Sequence, residues 1–183
     1  MRLSGQSGSG KGGGGEASLS FQDAHLQLSG IPQEELPLDN ASPALHSLID
    51  LWFRRTQAQG RIPAAFNMRD IPPRILPYVM LLTLDRERDR LIVRLAGTEV
   101  CQRHGGEMKG KTTDDFFEPV DAAIVVKSAL DVAHNKTPSL ARRNYVNIDG
   151  KSWHYTRLIM PLSSDGETVD GFFKTLDPDT LDW

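Results

Sequence analysis

The sequence predicts an α+β domain built on one five-stranded antiparallel sheet. Three observations predict it: an amphipathic helix at residues 42–59, a strand hairpin followed by several helices, and three more strands joined by tight turns. Strands that alternate regularly with helices would form a parallel sheet, but here the strands are grouped on either side of the helical segment. We therefore expect a hairpin and a three-stranded meander in one sheet, with the middle helices on one face.

The domain is predicted to occupy residues 42–183. Residues 1–20 are dominated by Gly and Ser, and such a segment cannot bury enough apolar surface to offset its backbone entropy. We interpret it as a disordered tail. Residues 21–41 are mixed in character and contain proline, and we predict an irregular lead-in there.

The helix at 42–59 has clear start and stop signals. Ser42 is a suitable N-cap, Pro43 fits the first helical position, and Gly60 fits the end. Its apolar residues recur on one side, so this stripe must cover either the free face of the sheet or a second copy of the chain. The candidate interface residues for a homodimer are Leu45, Ile49, Trp52 and Phe53.

The first two strands are predicted at 78–84 and 90–95, with the charged run 85–89 as their solvent-facing connection. Prolines bracket a short helix at 70–77 before them. Gly97 ends the second strand, and Thr98 is expected to cap the helix that follows.

The remaining elements follow from caps and turns. Thr112 and Asp115 form a loose capping box, and a longer helix runs from 118 to about 135. Pro138 opens a strand, Asp149 and Gly150 form a hairpin turn, and strands at 153–162 and 169–176 flank a turn at 164–166.

Composition excludes several classes of protein. A net charge of −3 and a pI near 5.9 do not favour nucleic-acid binding. The single cysteine, Cys101, allows no intrachain disulfide and no cysteine-rich zinc site. No run approaches the roughly 20 apolar residues of a membrane-spanning helix, so we expect a cytoplasmic protein that does not contact membranes.

No motif indicates an enzyme. The sequence lacks the zinc-protease, nucleophile-elbow and Cys-x-x-Cys motifs, so we predict no catalytic and no metal-binding residues. The acidic pairs Asp114–Asp115 and Glu34–Glu35 are attributed to capping or to solvated loops.

Strand alternation suggests a binding site. It groups Trp153, Tyr155 and Arg157 on one face of a strand and His154 on the other. Aromatic rings with convergent basic groups could line a pocket for an anionic or planar ligand, or equally form the surface on which helix 42–59 packs. The candidate ligand-binding residues are Arg94, Arg103, His104, Tyr145, His154 and Arg157. Cys101 and His134 are weak signals for flavin and haem, and no cofactor is predicted.

An ordered set of local features resembles a known family. These features are Trp52 with Arg55, residues 60–63, Leu76 with Pro77, residues 94–98, Gly106 with Met108 and Gly110, and residues 157–162. Over residues 45–176 the chain is similar to the bacterial PAS-like family known as PAS domain 5. The segment 64–68 departs from it in being more apolar.

The resemblance implies a sensory or regulatory PAS-like module without an enzymatic centre, of a type that often stands alone. Our leading hypothesis is that it responds to a small molecule and acts through a partner signalling protein. The alternatives are a structural dimerisation or adaptor module without a ligand, and a flavin- or haem-bound sensor.

Overall fold

The computed structural model describes residues 27–28, 33–146 and 150–181. Within these residues, seven strands form one antiparallel sheet, accompanied by three α-helices. In chain order the elements are β1 (Gln27–Leu28), β2 (Glu34–Leu36), α1 (Pro43–Gln59), β3 (Val79–Asp85), β4 (Arg90–Ala96), α2 (Thr98–Arg103), α3 (Pro119–Asn135), β5 (Ser139–Val146), β6 (Ser152–Leu162) and β7 (Gly171–Leu176).

The sheet has the predicted connectivity. Its strands lie side by side in the order β1, β5, β6, β7, β3, β4, and β2 also pairs with β5. Strands β5 to β7 form the meander and β3–β4 the hairpin, and the two units meet where β7 pairs with β3. The α+β class and the five antiparallel strands are confirmed, with β1 and β2 as additions at one edge.

We predicted an irregular lead-in, but part of it forms a strand. Glu34 pairs with Arg142 and Leu36 with Leu140, so β2 lies along the outer edge of β5. An unpaired strand edge presents free N–H and C=O groups, and this explains why such a short polar segment becomes a strand. The predicted tail at 1–20 and Asp149 of the predicted turn lie outside the described residues.

Helix α1 begins and ends as predicted. The Ser42 side chain accepts a hydrogen bond from the Leu45 amide, and Gly60 adopts the left-handed conformation at the end. The apolar stripe faces the chain's own core, because Leu45, Ile49 and Trp52 are at most 4% exposed. The Trp52 indole also donates to the Pro161 carbonyl at 2.9 Å.

The dimer prediction must therefore be corrected for Leu45, Ile49 and Trp52. These side chains are buried within the chain and cannot contact a second copy. Phe53 is 43% exposed and packs edge-on against Trp52, so it alone among the four candidates is accessible. The apolar stripe of α1 was predicted correctly. It covers the face of the chain's own sheet, which was the alternative to a second copy of the chain.

The two faces of the sheet are covered by different helices. Successive residues of a strand point to opposite faces. On β6, Arg157 donates to Ser128 of α3, while the fully buried Leu158 and Met160 point to the face on which α1 packs. Phe66, just after α1, contacts Phe173 of β7 on that same side.

Gly97 follows the last residue of β4, as predicted, but the cap predicted at Thr98 is wrong. It is itself the N-cap of α2, and Thr98 is the first helical residue, with no side chain capping the helix. Its φ of −71° is ordinary, so no unusual backbone conformation requires glycine. The requirement is space, because a Cβ atom at this position would lie 2.3 Å from the Pro77 carbonyl oxygen.

Candidate functional site

A cavity of about 250 Å³ lies between α3 and the face of the sheet that α3 covers. Residues from the sheet, from α3 and from the lead-in together form its wall. They are Gln33, Glu35, Leu82, Leu91, Ile124, Val125, Lys127, Ser128, Ala129, Asp131, Arg143, Tyr145, Arg157, Ile159 and Lys174.

Strand register explains why basic side chains meet at this cavity. Arg143 and Tyr145 are two apart on β5, so they share a face, and Arg143 pairs directly with Tyr155 of β6. Arg157 follows Tyr155 by two residues on the same face. On β7, Lys174 pairs with Ile159, two residues beyond Arg157, and so faces the cavity as well.

The two arginines are buried and share their partners. Arg143 is 6% and Arg157 5% exposed. Both donate to the Ser128 hydroxyl of α3, at 2.9 and 2.7 Å. This shared contact fixes α3 over the sheet at the point where the two guanidinium groups converge.

Glu35 of β2 is the anionic partner of this pair. Its carboxylate lies 2.7 Å from Arg143 and 3.7 Å from Arg157, and it accepts a hydrogen bond from the Ser139 hydroxyl. Partial burial alone would raise the pKa of Glu35. The hydrogen bonds from Ser139 and Arg143 and the charges of both arginines outweigh burial and lower that pKa. Glu35 is therefore a carboxylate held at a buried cationic site.

An aromatic layer continues the site toward α2. The Tyr145 and Tyr155 rings stack with centroids 5.6 Å apart, and Phe117 lies against Tyr145. Beyond them the Arg103 guanidinium lies over Trp153, 5.9 Å from the ring centroid. His104 packs between Trp153 and Phe116 and lines an adjoining space of about 50 Å³.

A family model described as PAS domain matches residues 40–176. This range contains the whole of α1, the five main strands and all of the cavity wall except Gln33 and Glu35 of the lead-in. The chain belongs to the PAS domain family. Searches of curated proteins and of solved structures gave no significant match. PAS domains are in general sensory modules without catalytic activity, and this is the class of function that the family supports here.

Two of the candidate ligand-binding residues that the sequence predicted for this PAS domain lie on the main cavity wall. Tyr145 and Arg157 line it, while Arg103 and His104 lie in the aromatic layer beside it. Two of the predicted ligand-binding residues do not lie at the cavity. Arg94 is exposed on the edge strand β4, away from the cavity, and His154 faces the opposite side of the sheet, where its Nδ1 pairs with the Asn144 side chain at 2.5 Å.

Sequence reasoning missed Arg143, Lys174 and Glu35. Arg143 could have been found, because it has the same strand parity as Tyr145. Lys174 is the only charged residue in β7. A single charge in a strand of otherwise uncharged residues was a signal that could have drawn attention to it. The role given to Glu35 was wrong, since it pairs with buried arginines instead of lying in a solvated loop.

Two further observations concern metal binding and membrane spanning. No three His, Cys, Asp or Glu side chains among the described residues stand close enough together to hold a metal ion. None of the described helices has both the length and the apolar character needed to cross a membrane.

His104 gives the PAS domain a predicted sensitivity to acid. Burial, followed by the positive charges of Lys174 and Arg103, lowers the pKa of His104 to about 3. A folded-state pKa below the ordinary value of about 6.5 means that the unfolded chain binds the proton first. We expect stability to fall as the pH drops from about 6.5 toward 3, by at most about 1.4 kcal/mol per unit from this group.

Urea unfolding at a series of pH values checks this expectation. His104→Phe should keep the aromatic packing and reduce the loss of stability in acid. His134→Gln removes an exposed histidine at the end of α3 and should retain the full loss. Equal acid sensitivity in His104→Phe and the wild type would contradict the assignment.

Proposed function

We propose that this PAS domain is a sensory or regulatory module that binds a small molecule bearing a carboxylate or a similar small anionic group. The supporting observation is the buried pair Arg143 and Arg157 at the cavity wall. Of the carboxylates that the structure describes, only Glu35 forms ion pairs with them, and its side chain is 60% exposed. Buried charges are costly unless paired, so the excess positive charge favours an anion in the cavity.

The rest of the cavity suits the body of such a ligand. Part of its wall is apolar and is formed by Leu82, Leu91, Val125 and Ile159. Pockets for drug-sized ligands run from about 300 to 1,000 Å³. A volume of about 250 Å³ therefore favours a small organic acid with a short hydrocarbon portion.

The lead-in strand gives the module a route to a partner protein. Glu35 is held by the same arginines that would bind the ligand, and it belongs to β2 at the outer edge of β5. A ligand anion that took over either arginine would weaken the hold of β2 on that edge. A strand edge is a surface that partner proteins commonly bind, and a partner could read the change there.

Titration calorimetry with straight-chain carboxylates, from acetate to octanoate, tests the binding proposal. We expect affinity to rise with chain length up to the capacity of the cavity and then to fall. The alcohols of the same chain lengths are the matched controls, and they should bind much more weakly because they carry no charge. Native mass spectrometry of the freshly purified chain should also show an acidic small molecule retained by the protein.

Arg157→Met should reduce carboxylate affinity at least tenfold. A hydrogen bond to a charged group is worth about 1.5–3 kcal/mol, which corresponds to a factor of ten or more. Arg142→Met is the control, because Arg142 is exposed, faces the other way and pairs with Glu34. Circular dichroism establishes that both variants are folded.

Two results would overturn the proposal. One is equal carboxylate affinity in Arg157→Met, Arg142→Met and the wild type. The other is the absence of any bound acid and of any response to the carboxylate series. The second result would favour the adaptor function, in which the domain acts only through protein contacts.

A further inference from the structure

Lys174 is a basic residue in the middle of the sheet. It lies on β7 between the buried Phe173 and Thr175, and it pairs with Met80 of β3 and Ile159 of β6. Its side chain lines both the main cavity and the adjoining space beside His104. Among the residues that the structure describes, it forms no ion pair and no hydrogen bond through its amino group.

Such a lysine needs a physical explanation. The Lys174 side chain is partly buried, and lysine rarely lies below the protein surface without a partner, because its ammonium group loses hydration there. The positive charges of Arg157 and Arg143 increase that cost, and among the carboxylates that the structure describes only Glu35 forms ion pairs with these arginines. Burial, and then the charges of Arg157 and Arg143, lower the pKa of Lys174 to about 7.

A lysine in this position is suited to act as a nucleophile at neutral pH. Removal from water and neighbouring cations are the two means by which proteins keep a lysine amine uncharged and reactive toward carbonyl compounds. Lys174 is partly removed from water and is affected by the charges of Arg157 and Arg143, and its side chain lines a cavity that a small molecule can occupy.

We propose that Lys174 forms a reversible Schiff base with the aldehyde or ketone group of a small oxo acid whose carboxylate is held by Arg157. This inference rests on the proposed function, because the same arginines supply the anion site. It specifies the ligand further: the molecule carries a carbonyl group as well as an anionic group.

The reaction is balanced without any added reagent. The uncharged Nζ attacks the carbonyl carbon, a C–N bond forms, and the carbonyl oxygen takes up a proton to give a carbinolamine. Loss of that hydroxyl as water, together with the remaining amine proton, gives the C=N bond. Addition of water reverses every step, so the ligand can leave unchanged.

The strand register determines the spacing of the two groups. Lys174 is directly opposite Ile159, and Arg157 lies two residues along β6 on the same face. Diagonal neighbours of this kind are about 7–8 Å apart at the backbone, within reach of two long side chains. The carboxylate and the carbonyl can therefore be adjacent in the ligand or separated by a short chain.

Reductive trapping of the full chain tests the proposal. The protein is incubated with glyoxylate, pyruvate or levulinate and sodium cyanoborohydride, and the product is analysed by intact mass and by peptide mapping. We expect one adduct per chain, at Lys174, with at least one of the three acids. Lys174→Arg should abolish that adduct, and Lys109→Arg, which changes an exposed lysine outside the cavity, should leave it unchanged.

Two further measurements distinguish a site from general reactivity. Arg157→Met should slow trapping at Lys174 at least tenfold, and excess propionate or valerate should protect Lys174 by competition. Trapping spread over many lysines, or equal trapping in Lys174→Arg, would overturn the proposal. If calorimetry shows that carboxylates bind but no adduct forms at Lys174, the Schiff base is wrong and the anion site stands. If carboxylates do not bind at all, the proposed function fails first.

Discussion

Gly97→Ala is expected to destabilise the domain by at least about 3 kcal/mol, or to prevent folding. A Cβ atom at this position would lie 2.3 Å from the Pro77 carbonyl oxygen and 2.5 Å from that of Leu76. Both atoms belong to the backbone, so no rotamer change can relieve the contact. The Gly97 amide also donates to the Val79 carbonyl at 2.8 Å, which holds the two segments together. The backbone at residue 97 must therefore move away from the Leu76–Pro77 segment. Helix α2, which ends next to His104, must move with it.

Gly60→Ala is the matched control. Gly60 has a φ of +64° and open space around the position of a Cβ atom. Its substitution should cost about 1–2 kcal/mol, which is the penalty of the left-handed conformation alone. Urea unfolding followed by tryptophan fluorescence measures both variants. A Gly97→Ala variant no less stable than Gly60→Ala would show that the Pro77 segment can yield, contrary to our expectation.

The fold could be predicted where local chemistry determines it. Ser42, Pro43 and Gly60 set the ends of α1, and a capping box of Thr112 and Asp115 forms as expected. Gly97 was correctly identified as the end of a strand, but its need for space was not, since that need comes from a segment about 20 residues earlier. The lead-in strands could not be predicted, because β2 is a strand only through its pairing with β5.

The site could be predicted only in part. Strand alternation separated Arg157 from His154 correctly, and it would have added Arg143 to the same face had it been applied to β5. It could not show that Glu35, more than 100 residues earlier, reaches those arginines. Nor could it decide what the stripe of α1 covers, because packing on the chain's own sheet and packing on a second copy give the same amphipathic pattern.

Glu35→Ala is expected to lower stability by about 2 kcal/mol and to create a site that free anions refill. The loss follows from leaving the buried Arg143 and Arg157 without their carboxylate. Added acetate or formate can occupy the vacated position between the guanidinium groups. We therefore expect these anions to restore part of the lost melting temperature, with a saturable dependence on their concentration at constant ionic strength.

Glu34→Ala is the matched control for this experiment. Glu34 is the adjacent residue on β2, and it pairs with Arg142 in an ion pair that is exposed on both sides. Exposed pairs contribute about 0–1 kcal/mol, so this variant should lose little and gain nothing specific from acetate. The comparison separates an anion-binding site from a general salt effect. If acetate stabilised both variants and the wild type equally, the arginine pair would not be an anion site. A selective rescue of Glu35→Ala would mean that Glu35 occupies the position of a ligand carboxylate, and that β2 and the ligand compete for the same two side chains.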